Sequence, residues 1–127
     1  MSDTPVKILI IDDEPALLRM MSLFLGRKGF SVSVADTASV ARRELTSGYD
    51  VAVLDATLPE TSLSTFGTEI LNGYPDTRLL AASGYPVDMS GLEAVAPGRV
   101  AFLHKPFSPE MLLAAVRRLL GAQEEGL

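Results

Sequence analysis

The chain has no cysteine among its 127 residues. Disulfides, thiolate metal centres and cysteine nucleophiles are therefore excluded. No apolar run approaches the roughly 20 residues of a membrane span, and no secretory leader is visible. Basic residues are outnumbered, 11 Lys and Arg against 16 Asp and Glu, for a net charge of −5. Without a basic surplus to displace counterions, bulk binding to nucleic acid or acidic membranes is not expected. Arg42-Arg43 and Arg117-Arg118 are isolated pairs on expected helices and read as solvated faces. What is present is enough branched aliphatic residue to bury a core, which fits one domain in a cytoplasmic setting.

The apolar pattern alternates between two periods. Val6 to Ile11 is a short, almost unbroken apolar run, as expected of a strand covered on both faces. Pro15 then opens a helical period that carries Leu17, Met21, Phe24 and Leu25 on one face and stops at Gly29. The cycle repeats four times. Strands are expected at Ser31 to Ala35, Val51 to Leu54, Arg78 to Ala82 and Val100 to Leu103. Helices are expected over Thr37 to Ser47, with Ala38, Ala41 and Leu45 inward, and around Phe66 to Asn72. A short helix near Ser90 to Ala96 opens on a capping-box pattern, Ser90 with Glu93. The last helix starts at Ser108-Pro109 and buries Leu112, Val116 and Leu119. Five such units with short connections imply right-handed crossovers, hence an α/β fold with a doubly wound, five-stranded parallel sheet. Residues 1–121 would form the domain, and 122–127 a flexible tail or linker stub.

Sites in open parallel sheets form at the carboxyl ends of the strands. There the first strand runs into Asp12, Asp13 and Glu14, the third ends at Asp55, the fourth at Ser83 and the fifth at His104-Lys105. Three adjacent carboxylates repel one another, since like charges 4 Å apart cost about 1 kcal/mol even in water. Convergence of these ends would assemble hard oxygen ligands that suit Mg²⁺.

In the sequence, "IIDDEP" carries Asp12-Asp13, "VLDATLP" carries Asp55, "AASGYP" carries Ser83 and "FLHKPF" carries Lys105. With these four motifs in order over essentially its whole length, the chain resembles the receiver domain of two-component response regulators. The resemblance implies a flavodoxin-like sheet of strand order 2-1-3-4-5 and a signalling role rather than turnover of an external substrate. It implies that Asp55 accepts a phosphoryl group from a phosphohistidine on a histidine kinase or phosphotransfer protein. Mg²⁺ would be held by Asp12, Asp13, Asp55 and the backbone carbonyl of Thr57, while Lys105 and Ser83 contact the phosphoryl oxygens. Ser83 and Phe102 would act as switch residues that change the surface of the fourth helix, fifth strand and fifth helix. That surface would meet a downstream protein target or a covalently linked output domain, as a monomer or a phosphorylation-dependent dimer. The family reading also makes the Lys105-Pro106 bond cis.

Blander readings exist for each feature. Asp12-Asp13 could be a helix-start cluster favoured by the dipole, and Ser83-Gly84 only a turn. His104 reads as structural or solvent-facing, pointing away from Lys105 by strand alternation. One departure stands out: four residues after Pro59, where the family usually has glycine, this chain has Leu63. The loop after Asp55 is therefore expected to run differently, with Thr61, Ser62, Ser64 and Thr65 free to cap the next helix. Thr57 and Tyr85 are expected to tune hydrolysis. The competing functional classes are a pseudo-receiver acting as a constitutive interaction module, and a small Mg²⁺ phosphohydrolase. The latter usually places a second acid two residues after its nucleophile, where this chain has Thr57.

Overall fold

A computed structural model describes residues 4–121. Strands β1 (Lys7–Ile11), β2 (Ser31–Ala35), β3 (Val51–Asp55), β4 (Arg78–Ser83) and β5 (Val100–His104) alternate with helices. The helices are α1 (Pro15–Arg27), α2 (Ala38–Leu45), α3 (Leu63–Gly73), α4 (Ser90–Val95) and α5 (Pro109–Gly121). All pairings are parallel, in the order β2-β1-β3-β4-β5, so the expected topology is the observed one. The tail expected at 122–127 lies outside the described residues.

Strand alternation explains why the sheet carries two aliphatic layers rather than one. Ile8 and Ile10 of β1, Val51 and Val53 of β3, Leu80 of β4 and Leu103 of β5 pack with α1 and α5. Leu9 and Ile11, Ala52 and Leu54, Leu79 and Ala81 pack with α2, α3 and α4 on the opposite face. Ile8 to Ile11 of β1 and every residue of β3 are buried.

Local signals mostly act as read. Thr37 caps α2 by accepting the Val40 N–H, and Ser108 accepts the Met111 N–H at the start of α5. Two details differ. In α1 the buried positions are Leu18, Met21 and Leu25, with Leu17 and Phe24 only partly buried. The capping box at Ser90 does not form: Ser90 is already helical, its N–H donates to Asp88, and Glu93 reaches forward to the Gly98 N–H.

The helix after Asp55 starts earlier than expected. Ser62, one of four candidate hydroxyls, accepts the Thr65 N–H, and Leu63 begins α3 with its side chain 7% exposed. Leu63 has no positive φ, so glycine's freedom is not needed there. Its leucine instead plugs the layer under α3. Restoring the family-like glycine, Leu63→Gly, is expected to destabilise the fold by about 2–5 kcal/mol in urea unfolding, the range for emptying a buried leucine site. A neutral or stabilising result would mean that the loop, not the leucine, holds α3 in place.

Candidate functional site

Asp12, Asp55 and Lys105 continue the parity of Ile10, Val53 and Leu103, the residues that face α1 and α5. Three separate strands thus deliver their terminal charges to one side of the sheet's carboxyl rim. Asp12 is 2% exposed: its Oδ1 accepts the Glu14 N–H at 2.9 Å and its Oδ2 accepts the Lys105 ammonium at 2.9 Å. Asp55 is 4% exposed, and its Oδ1 accepts both the N–H and the hydroxyl of Thr57, at 3.0 and 2.9 Å. Lys105 Nζ lies 3.5 Å from that same oxygen. Asp13 is exposed, yet one carboxylate oxygen from each of Asp12, Asp13 and Asp55 lies within 4.8 Å of the others.

Electrostatics here are lopsided, with three carboxylates facing one ammonium. At an effective dielectric near 20, two like charges about 5 Å apart repel by about 3 kcal/mol. Burial pushes the Asp12 pKa above the ordinary carboxylate value and the Asp55 charge adds to this, against the opposing pull of Lys105 and the Glu14 N–H. Burial works against the Lys105 ammonium too, but its bond to Asp12 and the charges of Asp12 and Asp55 together raise its pKa. One lysine therefore does not neutralise the rim. Hard oxygen donors so placed fit a small divalent cation such as Mg²⁺, which takes one or two carboxylates and keeps waters.

The other residues singled out in the sequence border this centre rather than enter it. The Ser83 carbonyl accepts the Lys105 N–H at 2.8 Å, while its hydroxyl accepts the Tyr85 N–H at 3.0 Å. Phe102 pairs in register with Ala81 and packs, half-buried, against the layer under α3 and α4. His104 shares that parity, lies edge-on to Phe102 at 6.3 Å and is exposed, so it points away from Lys105 as alternation required. The Lys105-Pro106 bond is cis. Arg42 is exposed but paired, with a two-point bond to Glu69. Beside Lys105 a groove of about 580 Å³ is lined by Glu14, Leu17, Gly84, Tyr85, Pro106 and Phe107. Sequence reading missed the Glu14 N–H on Asp12, although Asp-x-Glu at a strand exit is an Asx-turn signal.

An open parallel sheet with a buried aspartate pair and a lysine at its carboxyl rim defines a class of α/β signalling domain. Residues 8–117 match the family described as the response regulator receiver domain, and the chain belongs to it. Such domains are signalling modules of two-component systems and generally bind Mg²⁺ at an acidic cluster. The transcriptional regulatory protein TrcR of Mycobacterium tuberculosis is 35% identical over 125 residues, covering 92% of this chain and 46% of TrcR. The chain thus spans about half the length of that relative. The chemotaxis protein CheY4 of Vibrio cholerae superposes with a TM-score of 0.82 at 26% identity, covering 91% of this chain and 99% of CheY4. The BeF3-activated receiver domain of DrrB, a Thermotoga maritima protein, gives 0.77 at 30% identity, covering 92% and 98%.

Proposed function

We propose that this chain is a phosphorylatable receiver, residues 1–121 forming the unit, in which Asp55 accepts a phosphoryl group from a phosphohistidine on a histidine kinase or phosphotransfer protein. The observation that supports this best is the ammonium of Lys105 held between Asp12 and Asp55, at 2.9 and 3.5 Å, on a rim that still carries excess negative charge. An Asp55 carboxylate oxygen would attack phosphorus as the phosphorus–nitrogen bond of the donor breaks. The electron pair leaves with the imidazole, and an acyl phosphate results. Thr57, with two donors on Oδ1, fixes the plane of the carboxylate before attack. Lys105 offers a cation to the equatorial phosphoryl oxygens, where charge accumulates during transfer. Asp12, Asp13, Asp55 and the Thr57 carbonyl would hold Mg²⁺, which supplies charge neutralisation for attack by one anion on another.

Ser83 and Phe102 form the readout in this reading. A phosphoryl group adds about two negative charges and strong acceptor oxygens. The Ser83 hydroxyl, now engaged by Tyr85, would turn toward them and move the loop after β4. Phe102 would then repack, altering the surface of α4, β5 and α5 presented to a downstream protein or linked output domain, in the cytoplasm.

Incubation with a small acyl phosphate and Mg²⁺ tests the reading. The expected result is a single Mg²⁺-dependent phosphoryl adduct, base-labile, that peptide mapping places on Asp55. No adduct would leave the pseudo-receiver reading in its place, and one that forms equally in excess chelator would overturn the Mg²⁺ site.

A further inference from the structure

The loop from Asp55 to α3 is tied to a helix with which it shares no strand. Glu60 Oε1 accepts the N–H of Ala38 at 3.2 Å. Ala38 is the first residue of α2, and its N–H is one of the donors that a helix leaves without an intrahelical partner. Thr37 already serves the Val40 N–H, so Glu60 supplies a second cap from outside the helix. Its negative charge also sits at the positive end of the α2 dipole.

The tie does not stand alone. Arg42 lies four residues after Ala38, on the same side of α2. Its guanidinium makes a two-point bond to Glu69 of α3 at 2.7 and 3.1 Å and lies 4.9 Å from the Phe66 ring centroid. Carboxylates from the acceptor loop and from α3 therefore grip α2 at successive turns. On the other side the loop hangs from Asp55 itself: Thr57 bonds its carboxylate, and the Leu58 N–H donates to its carbonyl at 3.3 Å. Leu58, 2% exposed, plugs the core between these two anchorages.

We infer that Glu60 is a positioning residue for phosphoryl transfer, pinning the far end of the Asp55 loop to the α2 N-terminus so that Thr57 holds the acceptor carboxylate in one orientation. It touches neither the acceptor nor the donor and acts only through the loop. Its role rests on the phosphoacceptor reading above.

The bond needs an acceptor oxygen, not a charge, and this separates it from a general electrostatic influence on the rim. In Glu60→Ala the Ala38 amide should exchange with solvent at least fivefold faster, and Mg²⁺-dependent labelling by acyl phosphate should slow about fivefold, in line with the loss of one helix cap. Glu60→Gln keeps a carbonyl oxygen and should stay within about twofold of the unsubstituted chain in both measurements. Labelling of Glu60→Ala at the normal rate, or equal slowing in both variants, overturns the inference. If the unsubstituted chain takes no label, the phosphoacceptor reading fails and the inference goes with it, while Ala38 exchange still reports separately on the bond.

Discussion

Asp55→Asn is expected to lower acyl-phosphate labelling by at least a hundredfold while leaving the fold intact. Two facts separate chemistry from structure here. Asparagine keeps an Oδ1 acceptor for the Thr57 N–H and hydroxyl, so the bonds at 3.0 and 2.9 Å survive. What is lost is the anionic oxygen that attacks phosphorus, and the amide nitrogen is no substitute because its lone pair is delocalised into the carbonyl. Losing the negative charge 3.5 Å away costs Lys105 little, since its shorter bond is to Asp12. Burial has the largest upward influence on Asp12, and the Asp55 charge is a further one; with that charge gone, Asp12 should titrate lower. A parallel denaturant melt and an NMR titration of the Asp12 carboxyl check both points. Labelling that persists in this variant would move the acceptor elsewhere on the rim.

Phe66→Ala should have the largest effect on stability. The ring is fully buried in the layer under α3, and the Arg42 guanidinium lies 4.9 Å from its centroid. Truncation leaves a cavity that leucines on α3 and β4 fill only in part, at a cost of about 3–5 kcal/mol. For a domain whose total stability is about 5–15 kcal/mol, that is a large fraction. Urea unfolding should show a lower midpoint at an unchanged slope. Phe66→Leu, closer in volume, should recover most of the loss. Equal stability of the alanine variant would show that α3 is held by its caps and not by this ring.

The fold was legible where local chemistry and tertiary packing agree. "VAVLD" at Val51 to Asp55 is buried at every position, and its shortness and β-branched valines favour a strand over a buried helical turn. Ala38, Ala41 and Leu45 face the core as their spacing required. Legibility ended where several residues could serve one purpose. Four hydroxyls stood ready to cap α3, and which of them does so depends on where Leu63 finds its pocket. At α4 the Ser90 and Glu93 pattern was sound, but Asp88 and the Gly98 turn offered competing partners.

The site divides in the same way. Its acids and its lysine could be read because each stands at the end of a strand, and topology alone carries strand ends to one rim. The preference of Lys105 for Asp12 over Asp55 could not, for it turns on a difference between 2.9 and 3.5 Å. Nor could the Glu60 bond, which joins residues 22 positions apart and leaves no periodic trace in the sequence.

The shared parity of residues 12, 55 and 105 sets a condition on length as well as on chemistry. Adding or deleting a single residue within β1, β3 or β5 would swing the terminal charge of that strand toward the aliphatic layer beneath α2, α3 and α4. An acid or amine would then be buried among leucines, far from its counterparts. The count of residues from core to rim is thus held more tightly than the identity of any one aliphatic side chain along the way.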